Sequence, residues 1–381
     1  MKQNFSLPFF LIFILNFFFF SSFNSLSILP AYFQSIGASK AFTGVFMNLH
    51  SFLLILFVIF FSHHVERIGK RKVLYTLYFI QFFSLVLMAI FIKNIYILFV
   101  LKIFGSLSYA AGFTIHSSVV FEILPKNKRV SGIALFGISG IISNPVGGFL
   151  SELVYKNLPP AYIFVLASIF CLGALIMAIV IPFPEKKEKD SHIPFWKIFS
   201  RRNLLPLLTM AIYLGGAWSV NATFIPAFTG ERFNEANISF YALAFAVVAI
   251  SFRFFFSSIM DNLSKRLLVV VAFCLILSGE IFILFTSAVW QMVGVGFLYG
   301  LGHAILYPVL NTIFVNSGRE NEKYTLNSIF ISFYTMGNFL ISGALGYAGD
   351  LFGIAFIYIF MAILASTGIL IGLRMDRRIV G

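Results

Sequence analysis

"SHHVERIGKRK", residues 62–72, closes an apolar run, residues 42–61, that holds no Asp, Glu, Lys or Arg. Its last seven positions then gather one acid and four strong bases: Glu66, Arg67, Lys70, Arg71 and Lys72. A helix needs roughly twenty apolar residues to cross a bilayer's hydrocarbon core. The stretch therefore reads as the point where a membrane span ends at a basic, cytoplasmic turn.

The rest of the chain repeats that pattern. Of its 381 residues 60% are hydrophobic and 11% charged, with mean hydropathy +0.95, against about 25% charged in a soluble domain. An integral membrane protein follows. The 51 Phe are ascribed to an AT-rich genome and not read as a ligand signature. The net charge of +13 raises a nucleic-acid reading, but the bases lie between the apolar runs, where they set topology. Cys171 and Cys274 sit inside apolar segments without metal-ligand spacing and read as packed thiols. HExxH, GxSxG, P-loop and acid-cluster patterns are absent from the sequence, so no enzyme, cofactor or metal is expected.

Apolar runs at 7–34, 42–62, 73–92, 95–121, 131–154, 159–181, 204–229, 237–260, 267–288, 290–316, 325–348 and 354–373 give twelve spans. Residues 1–20, Lys2 followed by an apolar run, lack a small-residue cleavage site and are kept as the first helix. With the N-terminus cytoplasmic, 21 Lys and Arg fall on inner segments. Only Lys40, Lys93, Lys156 and Arg232 fall outside, and Lys102 and Arg253 lie within spans. That bias puts both termini in the cytoplasm. The most polar segment, 182–203, follows the sixth span and separates a six-helix bundle at 1–181 from another at 204–381. Its "IPFWKIF" portion reads either as an amphipathic surface helix or as a solvated tether.

Shifting the sequence by 195 sets Ser62 on Ser257, Glu66 on Asp261, Lys70 and Arg71 on Lys265 and Arg266, and Gly105 on Gly300. At a shift of 196 "ILPAYF" (28–33) meets "FIPAFT" (224–229). Two six-helix halves of the same topology are related by duplication.

In these motifs the chain resembles the major facilitator superfamily over essentially its whole length. Ser62, Glu66, Arg67, Gly69, Lys70 and Arg71 follow that family's GxxxDRxGRR signature, with Ser for Gly and Glu for Asp. The second copy, Ser257, Asp261, Asn262, Ser264, Lys265 and Arg266, is more degenerate. Glu122, Pro125 and Arg129 match the pattern that ends span four; "GIISNPVGG" (140–148) resembles an exporter motif through Gly140, Pro145 and Gly148; and "GLGHAILYP" (300–308) resembles the family's span-ten pattern. The resemblance implies an all-α membrane fold of two pseudo-symmetric six-helix bundles. It also implies a monomeric secondary carrier in a bacterial inner membrane, with a small solute, lipids and protons as partners. Gly140, Pro145 and Gly148 would supply the hinge. Glu66, Arg67, Gly69, Arg71, Glu122, Arg129, Asp261 and Lys265 would form the cytoplasmic gate, with Glu66 and Asp261 facing helix N-termini, where the dipole favours an acid.

In a rocking two-half carrier the cargo binds near the midplane. On span ten Gly300, His303, Tyr307 and Asn311 are spaced three, four and four and share one stripe. Span four carries Gly105, Ser108, Gly112 and His116, joined by Lys102 and Tyr109. Asn24, Asn48, His50, Trp218, Asn221 and Asn338 are further candidates. Each has an alternative reading as a helix-to-helix hydrogen bond, worth about 0.6 kcal/mol. Arg253 and Lys102 are intramembrane cations and Glu280 is the acid well inside a span, for which snorkelling or pairing with Arg253 stands beside proton carriage. With no mid-depth Asp or Glu on the cavity helices, a neutral or anionic solute is expected, with His303 or Glu280 carrying any coupled proton. Proton-driven export leads. An importer, an uncoupled facilitator and a non-transporting sensor are the alternatives.

Overall fold

The computed structural model describes residues 6–124, 129–181, 204–255, 263–318 and 323–375. The linker 182–203 and the gate residue Asp261 lie outside these, as do the side chains of Glu66, Arg129 and Arg253.

Hydrocarbon offers a peptide group no hydrogen-bond partner, so each apolar run satisfies its own backbone as a helix. Among the described residues these are α1 (Leu7–Ser35), α2 (Lys40–Phe61), α3 (Lys70–Ile90), α4 (Ile95–Ile123), α5 (Arg129–Asn157) and α6 (Ala161–Val180). The second set is α7 (Leu205–Phe233), α8 (Ser239–Phe255), α9 (Lys265–Phe282), α10 (Met292–Asn316), α11 (Lys323–Phe352) and α12 (Ile354–Arg374). Ten are long and apolar enough to span a membrane by length and composition. The others, α5 with its internal Pro145 and its Glu152 and Lys156, and the seventeen described residues of α8, complete the twelve. Local chemistry sets the ends. Asn94 accepts from the amides of Tyr96 and Ile97 at 3.1 Å and so caps α4, and Asn234 closes α7 in the left-handed region at φ 56°.

Two compact units result: Met1–Tyr32 with Leu49–Glu188, and Phe33–Asn48 with Lys189–Gly381. In the first, α1 packs on α5 and α6, and α3 on α4 and α6, around Phe9, Phe19, Tyr78 and Ile115. In the second, α7 packs on α11, and α10 on α8 and α9, around Phe224, Phe245, Tyr299 and Phe330. The α7–α11 crossing is at backbone contact: a Cβ on Gly215 would lie 1.8 Å from the Tyr334 carbonyl oxygen, and one on Gly337 1.9 Å from that of Ile212.

The division departs from the expected 1–181 and 204–381 in one place: residues 33–48 pack with the second unit. Asp350 accepts from the amides of Lys40 and Ala41 at 2.6 and 2.9 Å, capping the start of α2. Lys40 pairs with Glu231 at 3.2 Å, and Gln34 donates to the same carboxylate at 2.5 Å. Deeper, a Cβ on Gly44 would lie 2.3 Å from the Ser342 carbonyl oxygen, and Asn48 donates to Thr223 at 3.1 Å.

Candidate functional site

In the first unit, α4 brings Lys102 and Tyr109 to one side of an aromatic cluster. Tyr109 lies 4.3 Å from the His50 ring of α2 and 4.8 Å from Phe23 of α1, centroid to centroid. Phe19, Phe20 and Phe113 close around it at 5.6, 6.0 and 6.0 Å. The Lys102 ammonium stands 6.0 Å from the Phe23 centroid and the residue is only 3% exposed. Asn24 donates to Ser143 at 2.8 Å, tying α1 to α5 beside Gly147, whose Cβ would meet the Asn24 backbone at 2.8 Å.

The rest of the α4 stripe turns into the bundle. His116 spends both ring nitrogens there, one with the Tyr78 hydroxyl at 2.6 Å and the other with Asn16 at 2.9 Å. Ser108 donates to Gln81 at 2.6 Å, and a Cβ on Gly112 would lie 2.4 Å from the Phe19 ring. His116 is thus a hydrogen-bonded core residue that ties α4 to α1 and α3.

In the second unit His303 is the centre. Its ring lies 5.6 Å from Trp218 and from Phe245, 5.9 Å from Tyr299 and from Tyr307, and 6.2 Å from Tyr334. Its Nε2 is 3.3 Å from the Tyr334 hydroxyl. Asn311 donates to Asn327 at 2.9 Å, joining α10 to α11. Asn221 faces away from this box and donates to Glu280 at 2.9 Å. Asn338 is buried on α11.

The expected gate residues are described in part. Gly69 ends the short helix Ser62–Ile68 at φ 98°, a conformation closed to residues with a Cβ. Arg71 donates to the Ile179 carbonyl at the end of α6, and its repeat partner Arg266 donates to Leu373 at the end of α12. Cations at these helix C-termini meet the negative end of the dipole. Lys70 pairs with Glu122 and donates to Ser118 at 2.9 Å, while Arg67 is exposed. Lys265 begins α9, the position at which Lys70 begins α3.

Sequence reasoning missed Phe19, Phe20, Phe113, Phe245 and Tyr334, because the abundance of Phe was put down to composition. A signal was present. Adding the repeat offset of 195 to Phe23 and His50 gives Trp218 and Phe245, two rings of the His303 box.

Twelve long helices among the described residues, arranged as two sets of six that each hold a buried aromatic cluster with polar groups, define a polytopic membrane protein. The family model of the Major Facilitator Superfamily matches residues 9–282 and 207–379, and the chain belongs to that superfamily. It is 25% identical over 343 residues to the quinolone resistance protein NorA of Staphylococcus aureus (strain MSSA476), covering 84% of each chain. Among solved structures, it is similar to the nucleoside transporter NupG at TM-score 0.80 and 12% identity, covering 97% of this chain and 99% of that one. A bacterial homologue of the human lysosomal transporter Spinster gives TM-score 0.78 at 10% identity, covering 98% of each chain. At such identities the two structures share the fold alone.

Proposed function

We propose that the chain exports a small neutral or anionic organic solute with a planar portion, by alternating access driven by an ion gradient. The similarity to a quinolone resistance protein supports the direction. The observation that carries the solute class is Lys102, nearly sealed from solvent beside Phe23 in the Tyr109–His50 cluster. A buried ammonium attracts an anion more strongly than an exposed one because little water screens it, and the rings stack on a flat ligand.

On this reading Asn24, His50, Lys102 and Tyr109 are solute contacts of the first unit, and Trp218, His303 and Tyr307, with Asn338, are the candidates within the second. Glu66 and Asp261 act as cytoplasmic latches and Gly140, Pro145 and Gly148 as the hinge. The protein works as a monomer in the inner membrane with both termini cytoplasmic.

The test is uptake into everted membrane vesicles of matched anionic, neutral and cationic aromatic compounds, with and without an imposed proton gradient. Gradient-dependent uptake of the anionic or neutral members is expected. Lys102→Ala is expected to lower anion flux about tenfold, equivalent to about 1.4 kcal/mol of lost stabilisation, with the neutral analogue within about twofold. Preferred transport of cations, or an anion flux indifferent to Lys102→Ala, overturns the proposal.

A further inference from the structure

The described part of the second unit holds a polar cluster that the aromatic box does not use. Glu280, near the end of α9, is 2% exposed, and Asn221 on α7 is 1% exposed. The Asn221 amide nitrogen spends both hydrogens, on the Ala217 carbonyl at 3.0 Å and on Glu280 Oε1 at 2.9 Å. That leaves two buried acceptors on this hydrogen-bonded pair, Glu280 Oε2 and Asn221 Oδ1, and neither receives a hydrogen bond from the described residues. The phenols of Tyr213 on α7, Tyr241 on α8, Tyr299 on α10 and Tyr358 on α12 lie within electrostatic range of the carboxylate. Their hydroxyls likewise lack partners among the described residues. No ion pair to Glu280 forms among the described residues. The His303 imidazole stands in the aromatic box, 5.9 Å from the Tyr299 ring.

An ionised carboxylate deep in a membrane protein requires a counter-charge. Two bare carbonyl-type oxygens amid hydroxyls are hard ligands, suited to a proton or a small alkali cation and not to a soft metal or a bulky organic cation. We propose that Glu280 and Asn221 form a buried site for one monovalent cation, H⁺ or Na⁺, enclosed within the second unit and separate from the solute-contacting rings. As a proton, the ligand adds to Oε2 and neutralises the carboxylate; as Na⁺, it bridges Oε2 and the Asn221 Oδ1. The role of the site as the coupling site rests on the reading of the chain as an ion-driven exporter. The site itself does not.

Ion binding is therefore measured directly on the purified full-length protein. Infrared difference spectra are recorded across a pH titration in K⁺ buffer, and thermal unfolding is recorded against added NaCl with KCl as control. For a proton site, wild type shows a protonated-carboxyl band that titrates, is lost in Glu280→Gln and is shifted but present in Glu280→Asp. For a sodium site, Na⁺ but not K⁺ raises the unfolding temperature, and both Glu280→Gln and Asn221→Ala abolish the rise. If neither response exists in wild type, or if both survive Glu280→Gln, the site is overturned. Glu280→Asp keeps the test alive should the Gln variant fail to fold.

In vesicles Glu280→Gln is expected to retain solute exchange at equal concentrations while gradient-driven accumulation falls to the equilibrium level. Absence of solute flux in wild type would overturn the export reading and leave the ion titration standing. Unchanged accumulation in Glu280→Gln would remove the coupling role alone.

Discussion

Gly337→Val is expected to abolish folded protein in the membrane. The new side chain starts at a Cβ 1.9 Å from the Ile212 carbonyl oxygen, well inside van der Waals contact, and the atom it strikes is backbone that cannot rotate away. The opposing contact has the same form, with Gly215 against the Tyr334 carbonyl, so α7 and α11 are held together by two absent side chains. Small residues let helices approach closely enough for dispersion to hold them in lipid, where no hydrophobic force acts between helices. Forcing the pair apart by a methyl width opens the contact along its length and, by the magnitude of overpacking, costs about 1–3 kcal/mol or more. Gly230→Ala on the same α7 is the control, since its Cβ meets nothing nearer than Gln34 Oε1 at 3.7 Å, and it is expected to hold or slightly raise stability. Fluorescence size-exclusion of tagged variants in mild detergent reads both, and a monodisperse Gly337→Val peak at wild-type height would refute the contact.

Asp350→Lys is expected to release the start of α2. The wild-type carboxylate accepts from two first-turn amides and sits at the positive end of the helix dipole. Loss of such a cap costs about 0.5–2 kcal/mol, and a cation placed there adds about 0.3–1 kcal/mol of repulsion, before the nearby Lys40 ammonium is counted. Together these, about 0.8–3 kcal/mol, correspond to a rise of about 4- to 140-fold in amide exchange at residues 40 and 41. Asp350→Asn keeps an acceptor and loses the charge, so a smaller rise is expected. Hydrogen–deuterium exchange with peptide resolution over 33–48 measures both, and protection unchanged in the Lys variant would remove Asp350 as the cap.

The helices were legible because lipid enforces run length, and the halves because duplication left Glu66–Asp261 and Arg71–Arg266 at one offset. The membership of 33–48 was hidden. It depends on pairs such as Lys40 with Asp350, 310 residues apart, and nothing in either segment names the other. The α4 stripe was half legible for a different reason. A spacing of three and four fixes that Ser108, Gly112 and His116 share a face, but in a helix apolar all round it does not say whether that face meets a neighbour or a cavity. The pairing of Glu280 with Asn221 could not be read at all, because two residues 59 apart on different helices make no local pattern.

Gly69 carries a further lesson about the duplicated turn. Its copy, Ser264, stands at φ −55°, where any residue is at ease, while Gly69 stands at φ 98°. The backbone therefore calls for glycine at 69 and tolerates any residue at 264. Transplanting Ser into the first loop should injure the protein, and transplanting Gly into the second should pass unnoticed, so ancestry made the loops twins and backbone torsion has since made them strangers.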